Sequence, residues 1–322
     1  MQSATTEDTL AKNHAPDREK YTTLHLASKV RKIIIIGECT LDLIFPADIN
    51  ADSLQIKAVP GGRLLNTAIL LGDHGKNVTF VGDAARDRTG DFLINTLRRH
   101  NVATTSIDRF TDGVTATNIR FPESGDAATV CVRDYPTERF DVVWPRIDPD
   151  DIVVFGTYFA IDERVRPQML DLLAHAAERD ALIVYLPGFL PQQAPRITRV
   201  MPTILENLEL AQLTVARPTD LTTIFGGGED CDAAYHRHIE FYCPTMADVD
   251  MESSTLTLYH RQAKIERRLE VSGETLHRAA AAIAGLIESL IELNITRHSL
   301  ATLSPERTAE IATVAADKAS KF

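Results

Sequence analysis

The stretch that decides the fold reads Lys32-Ile33-Ile34-Ile35-Ile36-Gly37. Four consecutive isoleucines leave no polar face, and such a run before a glycine is typical of a strand buried on both sides of a parallel sheet. Similar apolar runs occur at 78–82, 151–156 and 181–185, and segments with helical periodicity alternate with them. This alternation predicts an α/β fold, with a doubly wound (Rossmann-like) central sheet flanked by helices.

Two segments interrupt the alternation with shorter strands that have one exposed face. They lie at about 42–60 and 114–141, and we expect them to form a small β sheet that projects from the main domain as a lid. Residues 1–30 are polar, mix both charges and show no sustained period. They predict a disordered N-terminal tail, which leaves 31–322 as a single folded domain.

Composition excludes several classes of partner. The chain has 322 residues, with 34 Lys and Arg against 45 Asp and Glu, and its net charge of −11 opposes binding to nucleic acid or to an anionic membrane. No apolar run approaches the ~18–20 residues that a membrane span requires. The four cysteines are too few and too scattered for a disulfide framework, so we expect a cytoplasmic protein.

The segment 59–68 reads Val-Pro-Gly-Gly-Arg-Leu-Leu-Asn-Thr-Ala and is followed by Leu71-Gly72, by Val81-Gly82 and by Asp87 three residues before Gly90. This pattern resembles the N-terminal signature of the PfkB (ribokinase-like) carbohydrate kinases, and the similarity extends over about 31–322. The resemblance implies a ribokinase-like fold with a β-sheet lid. It also implies a transferase that moves a phosphoryl group from Mg-ATP to a hydroxyl of a small-molecule sugar.

The same resemblance assigns the sugar-binding residues. Asp42 would accept hydrogen bonds from sugar hydroxyls, because a carboxylate offers acceptor oxygens matched to a diol. Gly61 and Gly62 would allow close backbone approach and act as the hinge of the lid. Asn66 would offer a donor and an acceptor to another hydroxyl.

The nucleotide side departs from the family pattern. Its members place Gly-Ala-Gly-Asp at a helix N-terminus, where backbone N–H groups hold the phosphoryl oxygens and the Asp takes the hydroxyl proton. Counting back from a helix predicted at 278–293 aligns Gly273-Glu274-Thr275-Leu276 with that motif. Gly273 alone then remains of the nucleotide-binding glycines, and Leu276 stands where the base should be. Glu274 and His277 are the nearest substitutes.

Two further segments have changed in the same direction. The polar Asp-x-Asn-x-Arg stretch of many relatives corresponds here to the apolar run 186–190, and the strand ending in Thr-x-Gly-x-x-Gly corresponds to 244–250, which has two carboxylates and no glycine. The sequence therefore predicts a sugar-binding pseudokinase, in which Mg-ATP is the family's cofactor but these residues argue against its binding.

Two other functions stay open at this point. One is an active carbohydrate kinase whose base is Glu274 or His277. The other is a structural subunit that forms a homodimer through the lid. No metal site is predicted, because Cys231, His236, His238 and Cys243 lie on a helical segment and point in different directions.

Overall fold

The computed structural model describes residues 30–50, 52–121 and 129–322. The tail predicted for 1–30 lies outside these residues except for its last position. Residues 51 and 122–128 of the predicted lid also lie outside them. Residues 31–322 form one compact unit.

The strands of the described residues are, in chain order, β1 (Lys32–Ile36), β2 (Thr40–Ile44), β3 (Lys57–Pro60), β4 (Asn77–Ala85), β5 (Val102–Phe110), β6 (Val114–Arg120), β7 (Val130–Asp134), β8 (Ile152–Gly156), β9 (Leu182–Leu186), β10 (Leu213–Ala216), β11 (Thr245–Asp250), β12 (Thr255–His260) and β13 (Ala263–Arg268).

The helices of the same residues are α1 (Arg63–Asp73), α2 (Arg88–Arg99), α3 (Arg166–Glu178), α4 (Ile197–Leu210), α5 (Pro218–Phe225), α6 (Cys231–Ala234), α7 (Thr275–Glu292), α8 (Arg297–Leu300) and α9 (Pro305–Ala319). Short 3-10 turns occur at Tyr158–Ile161 and Pro191–Gln193, and a π turn at Tyr235–Ile239 follows α6.

The strands form two sheets. The large sheet has the order β13-β12-β11-β10-β9-β8-β1-β4-β5, and its neighbouring pairs from β5 across to β11 are parallel. The second sheet has the order β3-β2-β6-β7 and corresponds to the predicted lid. Strand order reverses beside β1, because the chain runs outward through β4 and β5 and returns to β8 on the other side. In such sheets, ligands bind beyond the carboxyl ends of the strands at the reversal point.

The isoleucine run forms β1 at the centre of the large sheet and confirms the predicted fold class. Its second to fifth residues are fully buried, with Ile33 and Ile35 packed on one face and Ile34 and Ile36 on the other. Residues from α1, α2, α7 and α9 cover the first face, and residues from α3 and α4 cover the second. None of the helices in the described ranges combines the length and apolar character needed to cross a membrane.

Candidate active site

The candidate site begins with Asp42, on the lid strand β2. Its carboxylate is fully buried: Asn118 Nδ2 donates to Oδ1 over 2.8 Å, and Arg120 Nε lies 2.7 Å from Oδ2. Both partners come from β6, which pairs in parallel with β2. Burial raises the pKa of Asp42, and the Arg120 charge and the Asn118 hydrogen bond offset part of that rise. The lid therefore holds an acceptor group in a fixed orientation.

The two glycines form the turn between β3 and α1. A Cβ atom on Gly61 would lie 2.2 Å from Asp42 Oδ1, so the absence of a side chain there leaves room for the carboxylate. Gly62 has φ +77° at the start of α1, a conformation that favours glycine. Asn66 Nδ2 donates to the carbonyl oxygens of Pro60 and Gly62, which fixes the same turn. The structure thus brings Asp42, both glycines and Asn66 into one cluster.

A buried network that the sequence did not reveal supports this cluster. Glu38 follows β1 and accepts hydrogen bonds from Arg133 Nε and Nη2 of β7, over 2.9 and 2.8 Å, and from the Tyr135 hydroxyl. Arg133 Nη2 also donates to Asn118 Oδ1 over 2.9 Å. Asn118 is therefore held from both ends, by a guanidinium at its oxygen and by the Asp42 carboxylate at its nitrogen.

A second buried ion cluster lies beneath the lid. Arg139 donates to Asp83 at the end of β4 over 2.5 and 2.9 Å and to Asp162 over 3.2 Å, and it stacks on the Tyr135 ring at 3.3 Å. Burial raises the pKa of Asp83 to about 6, and the charge of Arg139 limits the rise. A fully buried guanidinium between two carboxylates thus joins β4 to the segments after β7 and β8.

Asp87 of the family-like pattern attaches the lid to the main domain. It caps α2 by accepting from Gly90 N over 2.7 Å, and it also accepts from both N and Oγ1 of Thr115 on β6. Burial alone would raise the pKa of Asp87, but these hydrogen bonds lower it overall. A Cβ on Gly90 would meet the Ala85 carbonyl oxygen at 2.3 Å. The spacing of Asp87 and Gly90 therefore serves the lid's attachment.

On the nucleotide side, α7 begins earlier than the sequence predicts. The helix starts at Thr275 rather than at Arg278, which makes Glu274 its N-cap residue. Gly273, with φ +103°, turns the chain into the helix. The exposed Glu274 carboxylate lies 2.5 Å from Lys57 Nζ of the lid strand β3.

Leu276 and His277, the other two residues at or beside the predicted base position, lie within α7. Leu276 is half-buried in its first turn. His277 Nε2 lies 3.3 Å from the carbonyl oxygen of Phe322. Of the two substitute bases that the sequence suggested, Glu274 is therefore the one whose side chain reaches the lid.

Two arginines and one aspartate form an ion cluster beside the ends of β9 and β10. Arg63 Nη1 donates to Asp220 Oδ2 over 2.7 Å, and Arg217 Nη2 donates to Asp220 Oδ1 over 2.8 Å. Burial alone would raise the pKa of Asp220, but the two guanidinium groups hold it below its usual value. A Cβ on Gly188 would lie 1.8 Å from Arg63 Nη2. In the apolar run 186–190, the glycine thus makes room for a buried ion cluster.

The end of β11 adds two carboxylates to this edge of the sheet. Burial raises the pKa of Asp248 to about 6, with a hydrogen bond from Cys231 acting against it and the charge of Asp250 adding to it. Asp250 accepts from Glu252 N and from Ser253 Oγ in the turn to β12. The end of β11 therefore carries two carboxylates, in the segment that the sequence pattern aligns with the nucleotide side of the family.

Solved kinases share this fold. Fructokinase from Vibrio cholerae O395, in a double-mutant form with fructose, ADP and potassium ion bound, superimposes with a TM-score of 0.75 at 13% identity, covering 90% of this chain and 91% of that one. Aminoimidazole riboside kinase from Salmonella enterica, complexed with aminoimidazole riboside and an ATP analogue, gives 0.71 at 18% identity, covering 89% and 92%. At these identities the likeness establishes the fold.

Sequence comparison establishes the family. Ribokinase from Bacillus subtilis (strain 168) is 27% identical over 110 residues, which cover 32% of this chain and 38% of that protein. The profile of the pfkB family carbohydrate kinases matches residues 30–240, about two thirds of the chain. The protein therefore belongs to the pfkB family of carbohydrate kinases.

Proposed function

We propose that this protein binds a small-molecule sugar beneath its lid and transfers phosphoryl groups from ATP poorly or not at all, as a sugar-binding pseudokinase. The observation that carries the proposal is the contrast between the two halves of the site. Asp42 is held in place by lid residues on the sugar side, whereas Glu274, Asp248 and Asp250 bring negative charge to the nucleotide side.

The sugar side has the chemistry that a diol requires. Sugar hydroxyls would donate to the Asp42 carboxylate, whose hydrogen bonds gain strength from the low dielectric of a buried site. Arg120 is 30% exposed, whereas the Asp42 carboxylate is fully buried. A hydroxyl would therefore reach Oδ2 only if the Arg120 side chain moved aside.

The residues of the nucleotide side do not fit a polyphosphate. Phosphoryl transfer depends on preorganised positive charge and N–H donors around the phosphate oxygens. Here the Glu274 carboxylate lies at the N-cap of α7, where the helix dipole would otherwise attract an anion. Gly273 is the one glycine that precedes it, so the glycine-rich turn of the family pattern is missing. Repulsion between the Glu274 carboxylate and the phosphates therefore opposes ATP binding.

A second candidate function is an active carbohydrate kinase with Glu274 as the base. The observation that favours it is the start of α7 at Thr275, which makes Glu274 the N-cap residue. Its carboxylate lies within reach of the lid. A glutamate can accept a hydroxyl proton, which leucine cannot. His277 is the weaker substitute because its ring nitrogen faces the Phe322 carbonyl oxygen.

One experiment separates the two functions. Calorimetric titration with fructose, ribose and a sugar phosphate, each with and without Mg-ATP, measures binding, and a coupled ADP-release assay measures turnover. The pseudokinase predicts that a sugar binds equally well in both conditions and that ADP release stays at background. Turnover at ordinary kinase rates (~1–100 per second) that disappears in Glu274→Gln would instead establish the second function. Glu266→Gln, an exposed residue on β13, is the matched control.

The lid also supports a proposed homodimer. Val114 of β6 and Val130 and Val132 of β7 have exposed side chains on this sheet, an apolar surface that a second copy would cover. Sedimentation velocity on wild-type protein and on Val130→Glu tests it, since only the wild type should sediment as a dimer. A cytoplasmic location is likewise proposed, supported by four cysteines that are all free thiols.

A further inference from the structure

A cavity of about 600 Å³ opens beyond the ends of β8 and β9, on the β8 side of the point where strand order reverses. Two segments line it: 158–164, which follows β8, and 193–200, which leads into α4. Its lining does not include Asp42, Gly61, Gly62 or Asn66. It is therefore distinct from the sugar-binding cluster, although it lies at the same edge of the sheet.

The lining has more positive than negative side chains. Arg164, Arg196 and Arg199 contribute guanidinium groups in a chain whose net charge is −11. The lining carboxylate of Asp162 is 4% exposed and is already engaged, because it accepts from Arg139 Nη1 over 3.2 Å and from the backbone N of Arg164 over 3.0 Å. Glu163, the second lining carboxylate, is 82% exposed and lies 3.5 Å from Arg199, so the lining holds three arginines against one buried and one exposed carboxylate.

The remaining pairings of these arginines are long and solvated. Arg199 Nη2 lies 3.5 Å from Glu163, and both side chains are more than two thirds exposed. Arg164 Nε lies 3.4 Å from Asp162 Oδ1, and its side chain is 41% exposed. The Arg199–Glu163 pair is exposed at both ends and contributes little free energy, so a ligand with better geometry can replace it, whereas Arg164 has only a long contact to the buried Asp162 carboxylate. Guanidinium groups bind phosphate with two parallel hydrogen bonds, which is such a geometry.

The lining also includes apolar side chains and the N-terminus of α4. Ile161, Ala194 and Val200 contribute hydrocarbon surface, and Tyr158 contributes a half-buried ring. Arg196 is the N-cap residue of α4, and its side chain makes no capping hydrogen bond. The first turn of a helix attracts negative charge, so it acts together with the arginines.

The backbone before the cavity is strained. Thr157 has φ 58° and ψ −164°, a region that β-branched residues rarely occupy, and its N–H donates to the Leu186 carbonyl oxygen over 2.8 Å. The segment on the far side is also fixed, because Gln192 Nε2 donates to the Thr129 carbonyl oxygen over 2.8 Å. Both walls of the cavity are thus held by specific contacts.

We propose that this cavity binds a phosphate monoester with a small apolar or aromatic body. The phosphate would lie among the three arginines, and the apolar body would pack on Tyr158, Ile161 and Val200. A dianionic phosphate with three acceptor oxygens satisfies several guanidinium groups at once, which a single carboxylate does less well. The proposal does not depend on the sugar site or on any kinase activity.

Calorimetry with phenyl phosphate tests the proposal, with benzoate, phenol and inorganic phosphate as comparison ligands. Phenyl phosphate should bind most tightly, and the double variant Arg164→Gln/Arg196→Gln should weaken it by about ten- to hundredfold, the value of one or two charged hydrogen bonds. Arg268→Gln, an exposed arginine on β13, is the control and should bind as the wild type does.

Three outcomes would overturn the proposal. Equal binding of phenol would show an apolar pocket without anion recognition, and tighter binding of benzoate would exclude the phosphate. Unchanged binding in the double variant would place the ligand elsewhere. Circular dichroism of the variants distinguishes lost binding from lost folding, and Val200→Gln offers a second variant that should weaken phenyl phosphate but leave inorganic phosphate unaffected.

Discussion

Replacing Gly61 with alanine should directly disrupt the Asp42 carboxylate, which we propose binds the sugar. The added Cβ would lie 2.2 Å from Asp42 Oδ1, whereas an ordinary contact is 3.4 Å or more. The carboxylate cannot retreat freely, because it is fully buried and is held by Asn118 at 2.8 Å and by Arg120 at 2.7 Å. Relief of the clash therefore requires the carboxylate or the turn to move by more than 1 Å.

The size of the effect follows from those two contacts. A shift of this size breaks or lengthens both interactions, and hydrogen bonds to charged groups contribute about 1.5–3 kcal/mol each. We therefore expect Gly61→Ala to lower the free energy of unfolding by about 3–6 kcal/mol. That is a large part of the roughly 5–15 kcal/mol typical of a folded domain. Sugar affinity should fall by at least about a hundredfold, because the acceptor oxygens lose their orientation.

The neighbouring Gly62→Ala is the matched control. A Cβ there meets nothing within 4 Å, so its cost comes only from the positive φ and should be about 1–2 kcal/mol. Urea unfolding and calorimetric titration with sugar give both quantities for both variants. Equal destabilisation of the two variants, or sugar binding unchanged in Gly61→Ala, would refute the role assigned to the Asp42 carboxylate.

Three further substitutions test individual carboxylates. Asp248, with its pKa raised from 3.8 to about 6, binds more protons folded than unfolded, so stability should fall as the pH rises from about 4 to about 6. Asp248→Asn should reduce that fall by up to about 3 kcal/mol, as urea unfolding at pH 4 and pH 7 will show. Asp220→Asn removes the negative charge that faces Arg63 and should cost about 3–5 kcal/mol in thermal unfolding. Asp87→Ala should cost about 1–2 kcal/mol and speed hydrogen exchange at the Thr115 amide, and unchanged exchange there would contradict the proposed lid attachment.

Much of the fold could be predicted because its central strands are apolar on both faces. The isoleucine run of β1 has only one reasonable place, the middle of a parallel sheet. β5 could not be predicted as a strand, because it lies at the edge of the large sheet. Exposed residues such as Ala103 and half-buried Thr and Asp residues interrupt its apolar pattern. β13, at the opposite edge, alternates in the same way and carries lysine and arginine.

The candidate site could be predicted only in part, because its polar contacts join distant segments. The glycine pair and Asn66 lie within one turn, so their spacing is visible in the sequence. Glu38 and Arg133 are 95 positions apart, and no local pattern shows that they meet. The start of α7 was predicted three residues too late, at 278 instead of Thr275. The turn into the helix depends on the positive φ of Gly273, which the sequence pattern does not show.

The network around Asn118 has a consequence for selectivity. Glu38, Arg133, Asp42 and Arg120 alternate in sign along it, so the two carboxylates and the two guanidinium groups already neutralise each other. A neutral polyol can enter such an array without leaving a charge uncompensated. A charged ligand would instead add a charge without a partner beside these buried groups, which costs several kcal/mol. We therefore expect the lid to reject ions by its own charge balance, before shape selects among sugars.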